Sequence, residues 1–541
     1  MRLARLLRFD DTAHVINDFD TSAGELNPRD SAPAGRVLMV QGTSSHAGKS
    51  TLVAALCRLF ARAGYRVAPF KAQNMSNNAA VTDDGREVGR AQAMQAVAAR
   101  VPVTVDMNPV LLKPQSDRTS QVVVLGKATR AYNAREYYDR TAELWPVVTG
   151  ALDRLRAAYD IVVVEGAGSP AEINLERYDI VNMRVARYAQ APVLVVGDID
   201  RGGVFASLFG TWALLPDGDR GLIRGYIINK FRGDPSLLDP GFDILRERTG
   251  VPTLGVLPYL DLSRLPAEDA LEWESLNKNA NKETLIDIAV MRLPRVANLD
   301  EFQPLVAEPG VTVRFVGSSD ELGHPDLIII PGTKSTIADL AWLRERGLAS
   351  AIAARRANNT PVLGICGGYQ MLGVEIIDEQ GVEAEGNVPG LGLLPVSTAF
   401  VADKITHRVS LRITADNAIF AASAVAFDAY EIHMGRTTPI PNAHLGSSPF
   451  LLTRDRVDFS DGACSDDGLV VGTYMHGMLE NDDVRRILLE RIAARKGVSL
   501  PARQRLATVD QAIDALADSV ATNLDLDAIG ELVGLRLLSP T

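Results

Sequence analysis

Short, almost continuous apolar segments alternate with amphipathic helical segments over most of the chain. The apolar segments are rich in Val, Ile and Leu, as expected for strands buried on both faces of a parallel sheet. In the first half, strands are predicted at residues 37–41, 161–165, 193–197 and 225–228, and helices at 49–63 and 142–158. This alternation requires crossover connections and predicts an α/β, doubly wound parallel sheet.

A second α/β series begins after a polar stretch, with strands predicted at residues 286–291, 311–316, 327–330, 362–365 and 471–474. The tail is mostly amphipathic helix, and its pattern does not distinguish packing on the second domain from building an interface. The predicted division is a poorly ordered leader at 1–35, a first α/β domain at 36–265, a linker at 266–284, a second α/β domain at 285–485 and a C-terminal helical extension at 486–541.

Composition narrows the class of protein. The 541 residues are 46% hydrophobic and 23% charged, which is typical of a soluble globular protein. A net charge of −11 argues against a broad nucleic-acid surface, and we expect no nucleic-acid partner. No apolar run has the length of a membrane span, so no membrane partner is expected. Three cysteines without paired spacing predict a reducing, cytoplasmic location.

A glycine-rich loop follows the first predicted strand, with the sequence Gly-Thr-Ser-Ser-His-Ala-Gly-Lys-Ser-Thr at residues 42–51. Such a loop at a helix N-terminus directs successive backbone N–H groups at phosphate. Lys49 is expected to neutralise phosphate charge, and Ser50 to ligate Mg²⁺. The loop predicts ATP binding by Gly42, Thr43, Gly48, Lys49, Ser50 and Thr51.

Two acidic positions follow other strands of the same sheet. Glu165 ends the predicted strand 161–165 and is a candidate to hold Mg²⁺ directly or through water, with an exposed strand-end carboxylate as the alternative. Asp198 ends the next strand and could organise metal or the reacting carboxylate. Ligands of such sheets gather at the carboxyl ends of strands, where all these groups are expected.

The second domain contains Pro-Val-Leu-Gly-Ile-Cys-Gly-Gly-Tyr-Gln-Met-Leu-Gly at residues 361–373. Small residues around Cys366 permit a tight strand-to-helix turn that exposes a nucleophile. The following helix N-terminus favours a thiolate, and amides such as that of Gly367 can stabilise an oxyanion. A buried structural cysteine is the alternative. His476 is the preferred base, and His433 is interpreted as a non-catalytic contact.

Two family resemblances follow from these motifs. The five residues between Gly42 and Gly48, together with Lys71, resemble dethiobiotin synthetase and its relatives. That resemblance implies activation of a carboxylate as an acyl phosphate. Lys71, with Asp198, would contact substrate or the migrating phosphoryl group, and Asn229 would face the nucleotide base.

The pattern Gly-x-Cys-x-Gly-x-Gln with a later histidine resembles the class I glutamine amidotransferases. The resemblance implies that Gly332, in Pro-Gly-Thr-Lys-Ser, joins Gly367 in the oxyanion hole. The family's usual His-x-Glu is absent, because Gly477 and Met478 follow His476. The third member of the triad therefore stays unassigned.

Further motifs at residues 71–78, 107–114, 165–174, 198–203, 228–234 and 430–436 resemble the cobyric acid synthase family. The resemblance implies an ATP-dependent amide ligase that uses glutamine and Mg²⁺. Its implied substrate is adenosylcobyrinic acid a,c-diamide, amidated at the b, d, e and g carboxylates in cobalamin biosynthesis. A homo-oligomer is among the assembly states left open.

Three alternatives remain at this point. A cobyrinic acid a,c-diamide synthase would use the same parts on two carboxylates. A partitioning-type P-loop ATPase would carry an inactive glutaminase-like domain. A non-catalytic binding module is disfavoured by the presence of Cys366, Lys49 and Glu165 together.

Overall fold

The structure is a computed structural model that describes residues 34–260, 265, 284–384, 386–502 and 508–537. The predicted leader and linker lie outside the described residues, except at their edges. The segment from Gly35 onwards forms one compact unit.

The first domain is built on the predicted parallel sheet. Its strands, in spatial order, are Thr253–Pro258, Ile223–Phe231, Val193–Asp198, Arg36–Gly42, Ile161–Glu165 and Val67–Phe70. Every neighbouring pair is parallel. The predicted strands of this half are confirmed to within a few residues, because strands covered on both faces need continuous apolar side chains.

Helices cover this sheet and connect its strands. The longer ones include the two predicted from the sequence, and their bounds are Lys49–Arg62 and Thr141–Ala158. The other α-helices of the domain are Arg90–Ala99, Ala134–Asp139, Met183–Ala189, Val204–Leu214, Asp217–Arg220 and Asp239–Thr249.

Two small sheets, which the sequence analysis did not predict, are built from the segment that follows the strand Val67–Phe70. One contains Gln73–Met75, Val110–Pro114, Thr119–Val124 and Lys127–Asn133. The other is the antiparallel pair Ala79–Val81 and Glu87–Gly89. These short strands carry few consecutive apolar residues, so their pattern resembles that of loops.

The second domain has its own central sheet, with strands in the order Val311–Val316, Ile286–Met291, Leu327–Ile330, Val362–Ile365, Val470–Thr473 and Ala463–Cys464. The first five are parallel and the last pairs antiparallel. Its α-helices are Gln303–Ala307, Ser319–Leu322, Thr336–Glu345, Leu348–Ala357, Gly367–Leu372 and Asp482–Lys496.

A largely antiparallel sheet adds to the second domain and was not predicted. It contains Glu375–Asp378, Gly386–Pro389, Val396–Ile413, Phe427–Pro439, Phe450–Arg454 and Val457–Asp461. Its long strands place some residues on the core and others in solvent, so they lack the continuous apolar runs of the central sheets.

The C-terminal helices Val509–Asn523 and Leu526–Val533 return to the first domain. Their apolar residues, including Ile513, Val520 and Ile529, belong to the same core cluster as the helix Lys49–Arg62. The first tail helix, Asp482–Lys496, packs into the core of the second domain, which is one of the two alternatives left open by the sequence. The packing of the last two helices on the first domain was not among those alternatives. Within the described ranges, no helix is both long and apolar enough to traverse a lipid bilayer.

Candidate functional site

The phosphate loop lies where the sequence predicts it, between the strand Arg36–Gly42 and the helix Lys49–Arg62. Gly48 has φ 100°, a conformation that L side chains rarely adopt. The Lys49 Nζ atom donates to the carbonyl oxygens of Ser44 at 2.9 Å and Gly168 at 3.1 Å. Lys49 also lines a cavity of about 570 Å³. The loop therefore presents its cation to a space that can hold a ligand.

Glu165 is the centre of a buried hydrogen-bond network beside this loop. Its Oε1 atom accepts from Ser50 Oγ at 2.8 Å and from Lys71 Nζ at 2.7 Å. Gln95 donates to Oε2 at 2.5 Å. The predicted Ser50 and Glu165 thus lie side by side, and their oxygen atoms are of the type that Mg²⁺ prefers.

The Ser50–Glu165 pair fits a metal ion whose other ligands would be nucleotide phosphate and water. No group of three or more His, Cys, Asp or Glu side chains suited to a metal ion occurs in the described part of the chain. Mg²⁺ commonly uses one or two protein ligands together with substrate phosphates. The donor set of Ser50 and Glu165 matches that type of site.

Asn229 and Asp198 lie on the other side of the loop. Asn229 Nδ2 donates to the carbonyl oxygen of Ala47 at 2.9 Å, and a Cβ at Gly48 would lie 2.0 Å from the same nitrogen. Asp198 pairs with Lys230 at 2.9 Å. Among the described residues that line the cavity, neither Asn229 nor Asp198 occurs. In this structure, Asn229 supports the loop and Asp198 is held by a lysine.

The cavity beyond Lys49 has a wide apolar wall. Tyr138 and Tyr178 stack with ring centroids 4.9 Å apart. Met75, Ile173 and Leu214 line the same cavity and are more than half exposed. Exposed apolar side chains grouped at one cavity are typical of a surface that binds an apolar ligand. The site combines a phosphate loop with such a surface.

Cys366 occupies a strained turn between the strand Val362–Ile365 and the helix Gly367–Leu372. Its φ of 50° is unusual for a residue with a side chain and is typical of a nucleophile elbow. A Cβ at Gly368 would lie 2.0 Å from the carbonyl oxygen of Ile330. The glycine is therefore needed for the helix to start this close to the neighbouring strand.

His476 and Glu301 form a buried polar chain beside this thiol. His476 and Cys366 line the same cavity, the Cys366 thiol donates to the carbonyl oxygen of Ile432 at 3.5 Å, and the His476 Nδ1 atom lies 3.3 Å from Glu301 Oε1. Burial lowers the pKa of His476, but Glu301 and Cys366 outweigh burial and raise this pKa to about 10. The imidazole lies between thiol and carboxylate, in the order used for nucleophilic catalysis.

Glu301 is a candidate functional residue that the sequence analysis did not identify. It precedes His476 by 175 residues, and no local motif marks it. Glu480, the acidic residue close to His476 in sequence, instead forms an ion pair with Arg90. Only the contact between distant segments identifies Glu301.

The predicted oxyanion-hole residues lie together around Cys366. A Cβ at Gly332 would lie 3.4 Å from His476 Nε2 and 3.6 Å from Cys366 Cβ. A Cβ at Gly367 would lie 2.7 Å from Cγ2 of Thr333 and 3.1 Å from its backbone nitrogen. Both glycine-containing turns therefore lie close to Cys366, and their role as an oxyanion hole stays a prediction.

His433 lies near the site but in different contacts. Its Nδ1 atom lies 2.8 Å from the carbonyl oxygen of Gly435, and its Nε2 atom 3.3 Å from Glu431 Oε2. Its ring stacks on Tyr474 with centroids 3.7 Å apart. Both ring nitrogens thus have partners other than Cys366.

A second cavity contains the thiol and is built by both domains. Its lining includes Cys366, His476, Lys334 and Lys404 of the second domain and Lys113 of the first. Lys113 belongs to the strand Val110–Pro114, and the next residue, Pro114, lines the phosphate-loop cavity. One strand of the first domain therefore borders both cavities.

Comparisons with known proteins agree with this two-site arrangement. Residues 38–272 match the family described as the CobQ/CobB/MinD/ParA nucleotide binding domain. Residues 287–484 match the family described as the CobB/CobQ-like glutamine amidotransferase domain. Both intervals follow the two α/β series.

Three relatives that the chain matches over nearly their whole length are named cobyric acid synthases. The chain is 51% identical to a cobyric acid synthase of Sorangium cellulosum over 92% of its own length and 98% of that protein. It is 49% identical to a cobyric acid synthase of Dehalococcoides mccartyi over 93% of its own length and 99% of that protein. It is 48% identical to a cobyric acid synthase of Pelotomaculum thermopropionicum over 92% of its own length and 97% of that protein.

Proposed function

We propose that this chain, which belongs to the cobyric acid synthase family, converts adenosylcobyrinic acid a,c-diamide to cobyric acid. It would amidate the b, d, e and g carboxylates with ATP and with nitrogen from glutamine. The observation that carries this proposal is the pair of cavities on either side of the strand Val110–Pro114, one with a phosphate loop and one with a Cys–His–Glu chain.

The cavity of Cys366 supplies ammonia. The thiolate attacks the side-chain amide carbon of glutamine, and the oxyanion is stabilised by backbone N–H groups at Gly332 and Gly367. His476 gives its proton to the departing ammonia, and a thioester remains. Water then attacks the thioester with His476 as base and releases glutamate. Glu301 holds the imidazole in the orientation that both steps need.

The cavity of Lys49 activates the acceptor. A substrate carboxylate attacks the γ-phosphate of ATP to form an acyl phosphate, and ammonia then displaces phosphate to form the amide. Lys49 and Lys71 offset the negative charge on the transferring group, which is mainly an electrostatic and positioning task. Mg²⁺ held by Ser50 and Glu165 would supply further neutralisation of the phosphates when bound.

The apolar wall of the same cavity suits a corrin. Met75, Ile173 and Leu214 offer exposed apolar surface, and Tyr138 and Tyr178 add stacked rings. A large macrocycle with carboxylates at its edge can rest on such a wall while one carboxylate reaches Lys71. Release and rebinding in another orientation would bring each remaining carboxylate to the same phosphate loop.

Ammonia must travel from one cavity to the other, because ammonia released to solvent is mostly protonated at neutral pH. The strand Val110–Pro114 borders both cavities, since Lys113 lines the cavity of Cys366 and Pro114 lines that of Lys49. We propose a sheltered path along this strand. If external ammonia at low concentration supported synthesis as well as glutamine does, the path would be unnecessary.

Replacement of Cys366 separates glutamine hydrolysis from amide formation. Cys366→Ala is expected to abolish glutamine-dependent synthesis while retaining synthesis from added ammonia, because the phosphate-loop site is intact. Glutamate release and amide formation are measured in parallel. Normal glutamine-dependent turnover in this variant would refute the role of Cys366.

Lys49→Ala tests the amide-forming reaction at the phosphate loop. It removes the cation that faces the transferring phosphoryl group, so synthesis should be lost with glutamine and with ammonia alike. Amide formation from either donor, measured by mass spectrometry, decides the point. Retention of synthesis from either donor would contradict the proposed phosphate site.

The mass of the final product identifies the acceptor reaction. Exhaustive reaction of adenosylcobyrinic acid a,c-diamide with ATP and labelled glutamine should add four labelled nitrogens. If only unamidated cobyrinic acid were used, with two amides added, the chain would act as a diamide synthase. ATP turnover without glutamine consumption would favour a partitioning-type ATPase.

A further inference from the structure

The turn at residues 298–302, which carries Glu301, is clamped by the first domain. The backbone N–H of Ala79 donates to Asn298 Oδ1 at 2.9 Å, and the N–H of Leu299 approaches Asn78 Oδ1 at 3.4 Å. Asn298 has φ 54°, in the left-handed region. Its side chain therefore fixes the start of the turn against a segment of the other domain.

Arg90 holds the same turn from a second side. Its Nε atom donates to Asp300 Oδ2 at 2.7 Å, and its Nη2 atom pairs with Glu480. The Asp300 side chain is 2% exposed and that of Arg90 is 13% exposed. An ion pair excluded from water to this extent is far more costly to break than a surface pair.

Two of the residues that contact His476, Glu301 and Tyr430, are linked to Arg90. Asp300 is the chain neighbour of Glu301, which also accepts from the backbone N–H of Gly477 at 3.4 Å. The Tyr430 ring stacks on His476 with centroids 5.5 Å apart, and the Arg90 guanidinium lies 5.9 Å from the same ring. Arg90 thus contacts Asp300, the neighbour of Glu301, and the ring of Tyr430, and it acts on His476 through these residues.

We propose that Arg90, with Asn78 and Ala79, is a positioning residue for the glutaminase centre: it holds the turn 298–302 so that Glu301 orients His476. The centre is then assembled only when the first domain is docked, and glutamine is not hydrolysed by a second domain that has separated. This inference rests on the proposed function of Cys366 and His476.

A purely structural role for Arg90 makes a different prediction. If the ion pair only stabilised the fold, its loss would lower both activities in parallel. A positioning role affects the glutaminase step alone, because the Ser50–Glu165 network and Lys49 are contacted by other residues. The rate constant should fall more than the affinity for glutamine, since Arg90 is not among the described lining residues of the Cys366 cavity and, of the turn 298–302, only Asn298 is.

The experiment compares Arg90→Met with a matched control, Arg408→Met, in the full-length protein. Arg408 also pairs across the domains, with Asp83 at 2.7 Å, but both side chains are more than half exposed and neither contacts the turn. Glutamate release, its KM for glutamine, its pH profile and ammonia-dependent synthesis are measured for each.

For Arg90→Met we expect kcat of glutamate release to fall by about 10- to 100-fold, the size associated with small misplacements of a catalytic group. KM and ammonia-dependent synthesis should change by no more than about twofold. Arg408→Met should behave as wild type. Equal loss of both activities, or no loss of either, would overturn the inference.

Asn298 provides a second pair of variants that does not depend on the buried arginine. Asn298→Gly tolerates the left-handed backbone but loses the acceptor for Ala79, whereas Asn298→Asp keeps it. Because Asn298 also lines the Cys366 cavity, the comparison is made on kcat of glutamate release at saturating glutamine, which should fall in the first variant and recover in the second. Equal rates in the two variants would contradict the clamp. Failure of the proposed function would look different, because wild-type protein would then release no glutamate.

Discussion

The carboxylate beside His476 comes from a turn 175 residues earlier in the chain. Its effect is electrostatic as well as geometric, because a buried imidazolium needs a nearby negative charge to persist. Since the pKa of His476 is raised to about 10, its imidazolium is expected to stay paired with Glu301 throughout the neutral range. At the scale of single residues, this ion pair makes the strongest predictions.

Glu301→Gln keeps the shape of the side chain and removes its charge. The pKa of His476 should fall, so the alkaline limit of glutamate release should move to lower pH, and kcat should drop by about 10²- to 10⁴-fold. Ammonia-dependent synthesis serves as the internal control and should persist. An unchanged pH profile would show that Glu301 does not act on His476.

The sign of the stability effect follows from the same shift. His476 has a folded-state pKa above its ordinary value of 6.5. Its contribution to stability is therefore fully present below about pH 6.5 and is lost as the pH rises through about 10. Thermal unfolding at pH 7 and pH 10 should show a larger decrease for wild type than for Glu301→Gln.

The two candidate histidines can be separated directly. His476→Asn should reduce glutamate release to near background, because the proton carrier is removed. His433→Asn should leave substantial release, since its ring nitrogens are engaged with Gly435 and Glu431 instead of the thiol. Initial rates of glutamate release with saturating glutamine decide between them, and the reverse order would make His433 the base.

At the scale of elements, the C-terminal helix Val509–Asn523 acts as a part of the first domain. Arg58, whose side chain is fully buried, pairs with Asp514 at 2.7 Å, and Ile513 and Val520 pack into the core under the phosphate loop's helix. The sequence showed an amphipathic helix but not the surface it covers, because many apolar faces could accept it.

Ile513→Ala tests this packing. Removal of a buried branched side chain should lower the free energy of unfolding of the first domain by about 2–5 kcal/mol. Ala515, an exposed residue of the same helix, supplies the control, and Ala515→Ser should change stability by less than about 0.5 kcal/mol. Chemical denaturation with ATP present and absent measures both. Equal stability of the two variants would show that the helix does not support the domain.

At the scale of the whole molecule, Glu87 joins the domains beside the glutaminase cavity. It is buried and pairs with Lys113 of the first domain and Lys404 of the second. Burial raises the pKa of Glu87, but the two lysines outweigh it and hold this pKa well below its usual range. Its stabilising contribution is present above about pH 4.5 and is lost only as the pH falls towards the lowered value.

Glu87→Gln leaves two lysines facing each other without a counter-charge. The interface should weaken by about 3–5 kcal/mol, the range for breaking a buried ion pair. Glutamate release should then exceed amide formation, because ammonia would escape to solvent at the weakened interface between the domains before it reaches the cavity of Lys49. The ratio of glutamate to amide product measures this uncoupling, and a ratio equal to that of wild type would contradict it.

Much of the fold follows from the sequence by itself. Strands buried on both faces must be continuously apolar, so the central sheets of both domains were predicted from runs such as 161–165 and 362–365. The phosphate loop and the cysteine turn were equally visible, because each depends on glycines and reactive side chains that are neighbours in the chain.

What only the tertiary structure decided are the contacts between distant segments. Glu301 beside His476, Arg90 on the turn 298–302, the lysines around Glu87 and the C-terminal helix on the first domain all join residues far apart in the chain. The local sequence pattern indicates which face of an element is apolar or charged. It does not indicate which other element packs on that face, because that choice depends on packing and charge compensation among all elements at once.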